Sequence, residues 1–205
     1  MIIRFIVPVL AILILLTGCS EQTTDVITDQ QTGLEMEQVS NITSDMRIIY
    51  AKNDEMDRGN HDFFDKEIVV ENRYYEENQI KRGDIVSYKK DEGFTRIIAL
   101  EGEKVKISNA QIYINGKRLD SFYGRGHRLG MDLNELKNKL KQGDFEEPYI
   151  EQNVKNQIEF LESINEEEIM VPKGHVYVIG DDWFRTGIMG ILPKENMTGK
   201  VLGYK

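Results

Sequence analysis

Beyond Asp45 the apolar residues of this 205-residue chain come mostly in short bursts: RIIYA, KEIVVE, GDIVSY, TRIIAL, KVKI, QIYING, MVPKGHVYVIG and GKVLGY. They are rich in Ile, Val and Tyr and are separated by Gly, Asn and charged pairs, which is the pattern of strands. The spacing predicts a mainly β domain over 46–205, an antiparallel folded sheet or barrel-like arrangement. ISNAQIYINGKRL predicts a hairpin with a further tight turn at Asn115-Gly116, so that one strand runs from Gln111 to Ile114. The period changes over about 131–165. There Asp132 and Glu135 form a capping pattern, Leu133, Leu136 and Leu140 share a helical face, and Gly143 supplies a stop. A second helix is predicted from Tyr149 to Ser163, with Ile150, Val154, Ile158, Leu161 and Ile164 three or four apart. The apolar stripes of this helical insertion are expected to cover one flank of the sheet.

The first residues follow a different rule. MIIRFIVPVLAILILLTGCS carries one charge, Arg4, and an apolar run from Phe5 to Leu16. That run is too short for a helix crossing a hydrocarbon core about 30 Å thick, and it reads as the h-region of an export signal. Leu16, Thr17, Gly18 and Cys19 resemble a bacterial lipobox, which implies a signal peptide over 1–18 and a lipid on Cys19. The mature chain is then attached to the outer face of the bacterial cytoplasmic membrane, and stable anchoring requires more than one acyl chain. The polar stretch from Ser20 to Asp45 shows no apolar period and is expected to be a flexible linker, so that 19–45 would hold the domain roughly 25–30 Å from the membrane.

Charge narrows the partners. Acidic residues outnumber basic ones by 35 to 26, giving a formal net charge of −9, which becomes −10 when the export signal takes Arg4 away. A chain of this sign repels a phosphate backbone, so nucleic acid is not an expected partner. The single cysteine excludes an internal disulfide. His61, His127 and His175 stand apart with no ligand spacing, so neither a metal nor a cofactor is expected.

Five segments then line up in order: RGDIVSYKK (Arg82 to Lys90), FTRIIALEGEKVKI (Phe94 to Ile107), QIYINGKRLD (Gln111 to Asp120), VPKGHVYVIGDD (Val171 to Asp182) and GILPKENMTGKVLGY (Gly190 to Tyr204). Together they resemble the sequence boxes of type I signal peptidases over nearly all of Met46 to Lys205. The resemblance implies a β-rich extracytoplasmic domain in which a serine nucleophile and a lysine general base cleave signal peptides. It retains Met56, Gly83, Asp84, Arg96, Gly102, Gly180, Asp181, Gly190 and Pro193.

The resemblance also locates what is missing. A hydroxyl is a poor nucleophile at neutral pH, and an amine accepts its proton only if its pKa is pushed well below about 10.4. The family's lysine position holds Thr95, which has no basicity in this range. In EMDRG, Met56 aligns with the family's methionine, which sets Glu55 at the nucleophile position and Arg58 at that of a proline. GDDWFRTGIMGILP lacks the Asp-Ser-Arg that buttresses the lysine.

The resemblance therefore implies a membrane-anchored lipoprotein without an intact dyad, retained for binding an extended peptide or a secreted protein. Two other readings stand beside it. One is a peptidase with a displaced pair drawn from Ser87, Ser121 or Thr186 and Lys89, Lys90 or His175. The other is an envelope scaffold that docks partners through the helical insertion. Asp54, Glu55 and Asp57 are expected to form a solvated acidic loop, with binding of a cation or a basic peptide as the alternative.

Overall fold

The computed structural model describes residues 25–29, 32–33, 35–59, 61, 63–89 and 93–205. Cys19, Arg4 and Lys90 lie outside these residues. Fourteen strands follow in chain order: β1 (Val26–Thr28), β2 (Met46–Tyr50), β3 (Glu67–Glu71), β4 (Ile85–Tyr88), β5 (Gly93–Ala99), β6 (Lys104–Ser108), β7 (Gln111–Ile114), β8 (Lys117–Asp120), β9 (His127–Arg128), β10 (Met131–Asp132), β11 (Glu166–Met170), β12 (His175–Ile179), β13 (Met189–Pro193) and β14 (Met197–Tyr204). The helices are α1 (Tyr74–Glu77), α2 (Leu133–Gln142) and α3 (Pro148–Ser163).

The strands form an antiparallel seven-stranded sheet in the order β13-β12-β5-β4-β14-β3-β2, a five-stranded sheet in the order β1-β8-β7-β6-β11, and the small pair β10-β9. Neither large sheet closes, so the fold is the folded-sheet form of the expected mainly β class and not a barrel. The chain passes from one large sheet to the other between β5 and β6 and returns between β11 and β12. Reciprocal backbone bonds stitch the two crossings, from Gly102 to Val171 at 2.9 Å and from Val171 to Glu103 at 2.8 Å. Gly102 has φ of 82°, a left-handed value that favours a residue without Cβ.

Alternation sets the five-stranded sheet. Val105, Ile107, Ile112, Ile114 and Leu119 turn inward, while Lys104 and Lys106 stay exposed. Asn115 and Gly116 have φ of 51° and 76°, as a type I′ turn requires, and β7 has the expected bounds. β5 is different. It lies between two neighbours in the middle of the seven-stranded sheet, and all seven of its residues are buried, including Thr95 and Arg96.

The helical insertion forms as the periodicity predicts. The Asp132 carboxylate accepts the N–H groups of Asn134 and Glu135, each at 2.9 Å, and the Glu135 carboxylate accepts the N–H of Asp132 at 2.7 Å. Gly143 ends α2 at φ of 67°. Leu136, Val154, Ile158 and Leu161 enter the same apolar cluster as the inner face of the five-stranded sheet, so the two helices do cover its flank. Replacing Asp132 by Ala removes the cap. It should lower stability by about 1 kcal/mol in urea unfolding, with the helical signal of α2 lost first.

The stretch 19–45 departs from the free linker expected of its polarity. Its described residues meet the domain twice: β1 runs parallel to β8, and Val39 and Tyr204 exchange backbone bonds with the opposite segment through Val39 N–H to Tyr204 O at 2.8 Å and Tyr204 N–H to Glu37 O at 3.0 Å. Tyr123 also donates to Asp29 at 2.5 Å. Sheet edges offer unpaired amides and carbonyls even to a polar strand, and hydropathy period does not register that attraction.

Candidate active-site region

The acidic run 54–57 is not the solvated loop expected from its charge. Glu55 keeps 2% of its surface exposed and Asp57 none. The turn carrying them follows β2 and is pressed against the start of β5 and the loop after β12. Glu55 Oε1 accepts the N–H of Phe94, and Oε2 accepts that of Gly187 at 3.2 Å, with the Tyr88 hydroxyl 3.4 Å away. The Glu55 carbonyl accepts the N–H of Asp182 at 3.1 Å. Gly180 explains itself here, since a Cβ at that position would sit 2.5 Å from the Glu55 carbonyl oxygen. Met56, fully buried beside these groups, joins a cluster with Phe63, Phe94 and Ile68.

The position aligned with the family's lysine lies one residue along from the amide that holds Glu55. Thr95 is fully buried opposite Val86, and its hydroxyl has no hydrogen-bond partner among the described residues. The two positions that the resemblance assigns to the dyad thus meet at the start of β5, and they hold a carboxyl and a hydroxyl, neither of which supplies an amine base at neutral pH.

Burial drives the Glu55 pKa above the usual carboxylate range, against the opposing hydrogen bonds from Phe94, Gly187, Asn53 and Tyr88. A raised folded-state pKa favours folding most when the group is protonated. The contribution is fully present below the unfolded glutamate value of about 4.3 and is lost as pH rises through the higher folded value. Glu55→Gln should therefore flatten the fall in unfolding free energy between about pH 3.5 and pH 8 relative to wild type. The flattening is about 1.4 kcal/mol for each unit by which the Glu55 midpoint is raised, measured by urea titration at both pH values. Parallel profiles for the two proteins would show that the carboxyl is solvated.

The retained motif residues gather around a second buried charge. Arg96 Nε and Nη2 grip the two oxygens of Asp181, each at 2.6 Å, and Nη1 donates to the Gly83 carbonyl at 2.7 Å. The guanidinium lies 4.8 Å from the Phe122 ring centroid and 5.6 Å from that of Tyr123. Arg58 stands at the position aligned with a proline and brings its Nε within 3.7 Å of Asp181. A cavity of about 70 Å³ lies beside this group, bordered by Arg58, Phe122, Tyr123, His127, Asp181 and Trp183. Burial holds the His127 imidazole below its ordinary pKa. Asp84 receives Lys200 at 2.8 Å, Gly102 takes a left-handed φ, and Gly190 and Pro193 belong to β13.

The loop after Asp181 has its own anchor, which the sequence reading missed. Asp182 is fully buried and accepts from Arg128 at 2.5 Å and from the N–H groups of Leu129, Phe184 and Arg185 at 3.0 to 3.3 Å. Arg185 reaches back to Asp54 and, at 3.4 Å, to Asp57. The same two carboxylates and His61 offer ligand atoms within 4.8 Å of one another, so His61, which the sequence left isolated, takes the place beside Asp54 and Asp57 expected for Glu55. Arg185 offsets one of the two charges of that pair.

None of the displaced hydroxyls meets a base among the described residues. Ser87 is buried, with its oxygen 3.2 Å from Arg47 Nη2 and 3.1 Å from the Thr198 hydroxyl, and an arginine does not accept a proton in this pH range. Lys89 follows the strand with an exposed side chain. Thr186 accepts the N–H of Gly180 at 2.8 Å and donates to the Ile188 carbonyl at 2.7 Å. The Ser121 hydroxyl has no hydrogen-bond partner among the described residues, and His175 bonds the Lys173 carbonyl.

Comparison with known proteins agrees with the order of the motifs. The family model described as signal peptidase, peptidase S26 matches residues 49–203. Signal peptidase IB of Staphylococcus aureus is 29% identical over 133 residues, which cover 62% of this chain and 61% of that protein. Signal peptidase I of Bacillus caldolyticus is 28% identical over 118 residues, covering 56% and 54%. The match thus spans less than two thirds of the relatives' own length. A crystal structure of a signal peptidase I from Enterococcus faecalis V583 aligns with 60% of this chain and 97% of that one at 19% identity, with a TM-score of 0.37.

Proposed function

The chain belongs to the signal peptidase S26 family, and from that premise we propose that it is a catalytically silent, lipid-anchored extracytoplasmic member whose scaffold is retained to bind an extended peptide. The observation that carries this reading is that the buried Glu55 carboxyl is held by the Phe94 amide, one residue along β5 from the buried Thr95. An acylating mechanism needs a hydroxyl nucleophile and a base with an accessible lone pair at the same place. Here the nucleophile position is a carboxyl tied to two backbone amides, and the base position is a hydroxyl inside the sheet.

Binding does not need that chemistry. β2 is the outermost strand of the seven-stranded sheet and leads directly into the Glu55 turn. Ile48 and Tyr50 on it are 39% and 49% exposed. An added strand along such an edge gains main-chain hydrogen bonds without a nucleophile. Attachment through a lipid on Cys19 fits the apolar run and LTGC. Among the described residues, no helix is long and apolar enough to cross a membrane.

The test is cleavage of a labelled preprotein by the full chain in detergent, alongside titration with a fluorescent signal-peptide segment. The expected result is no product over long incubation together with saturable binding of the segment. Turnover by wild type that is abolished in Ser87→Ala would overturn the silent reading and relocate the dyad. Absence of both turnover and binding would leave the envelope-scaffold role instead.

A further inference from the structure

The outer face of the five-stranded sheet has a composition unlike that of the chain as a whole. Val26, Arg118, Tyr113 and Lys106 are paired in direct succession across β1, β8, β7 and β6, so they form one row on one face. Lys104 pairs with Met170 on the same face, and Met170 is 61% exposed. Within the strands the alternate residues Ile27, Leu119, Ile112 and Ile107 turn to the core, which fixes this row outward. A chain of net charge −9 thus presents lysine, arginine, tyrosine and exposed aliphatic side chains together on one sheet face.

The neighbouring carboxylates set how much of that charge is free. Glu168 lies 2.9 Å from Lys104, and Asp120 lies 3.7 Å from Arg118. Lys106 makes no ion pair with a described residue. Attraction to an anionic surface therefore rests chiefly on Lys106, with Tyr113 and the aliphatic groups suited to the polar boundary of a bilayer.

Connectivity adds an independent argument. β1 is the first described strand and is itself part of this sheet. Five residues separate Cys19 from Asp25, and a chain of six Cα steps spans at most about 20 Å. The Asp25 carbonyl accepts the N–H of Arg118 at 3.1 Å, so the tether enters the domain at the row itself.

We propose that the outer face of the five-stranded sheet, centred on Lys106, Tyr113, Arg118 and Val26, docks the domain onto an anionic lipid bilayer. This rests on the lipid attachment at Cys19 proposed above. Docking by this face holds the domain at the membrane in a fixed orientation, in place of the loose suspension that a free linker would give.

Amine footprinting on the full chain tests it. The chain is examined both as made in cells and with its Cys19 thiol coupled to a maleimide phospholipid, in vesicles of phosphatidylcholine with and without phosphatidylglycerol. Lys104 and Lys106 should be acetylated at least about fivefold more slowly on the anionic vesicles than in Cys19→Ser chain mixed with them. That factor corresponds to roughly 1 kcal/mol. Lys52 and Lys66, exposed beside the other sheet, should be unchanged, and Lys106→Glu should restore the reactivity of Lys104. Equal rates at all four lysines in the coupled chain, or protection that appears without vesicles and grows with protein concentration, would overturn the docking face. Absence of lipid on the chain made in cells would overturn the attachment reading alone, because the coupled chain still reports the docking.

Discussion

Arg96→Met should lower the unfolding free energy by about 3–5 kcal/mol, the cost of stripping one partner from a buried ion pair. The guanidinium is 1% exposed and supplies three hydrogen bonds, two to Asp181 and one to the Gly83 carbonyl. Its loss leaves the Asp181 carboxylate, itself 6% exposed, facing Arg58 at 3.7 Å among the described arginines. Arg96→Lys should also be costly, because a single ammonium cannot reproduce the paired contacts of the guanidinium or its stacking over Phe122. Combining Arg96→Met with Asp181→Leu removes both charges and should recover part of the loss. Urea unfolding at pH 7 checks all three. A cost below about 1 kcal/mol for Arg96→Met would mean that the pair is solvated in a way its burial does not suggest.

Asp182→Ala is expected to be of similar size, about 3–5 kcal/mol, but its consequences should spread along a loop. The carboxylate neutralises Arg128, whose side chain is 13% exposed, and caps three backbone amides. Without it the segment 183–187 loses its turn, and Gly187 no longer delivers an N–H to Glu55. Hydrogen exchange should therefore quicken at Phe184, Arg185 and Gly187, while the β6-β7 hairpin keeps its protection. Asp182→Asn should fall between the two, since it retains an acceptor for the amides but not the charge opposite Arg128. Uniform acceleration across both sheets would instead indicate global destabilisation with no special role for the loop.

These two variants probe groups that the sequence made legible to different degrees. Arg96 and Asp181 stand in segments recognisable by their order along the chain, yet nothing in that order states that they are gripped face to face. Asp182 carried no signal beyond being the second acid of a pair. Its importance comes from Arg128, 54 residues earlier, folding back over the same loop. Phe94 and Gly187 were invisible as partners of Glu55 for a simpler reason: they act through backbone N–H groups, which every residue but proline possesses.

Local periodicity by itself determined most of the strands of 46–205 and the two helices of the insertion. The Asp132 cap, the Gly143 stop and the Asn115-Gly116 turn depend on backbone conformations that a few neighbouring residues dictate. The five ordered segments likewise pointed to the family, and the resemblance, extended to EMDRG, implied that Thr95 and Glu55 stand where a lysine and a serine would. Tertiary structure alone decided that Glu55 and Asp57 are buried, because burial depends on what folds over a segment and β5 and the 183–187 loop are distant in sequence. It also decided that the polar N-terminal stretch meets the domain at β8 and Tyr204, since an open sheet edge attracts a strand through its backbone, whatever the side chains say.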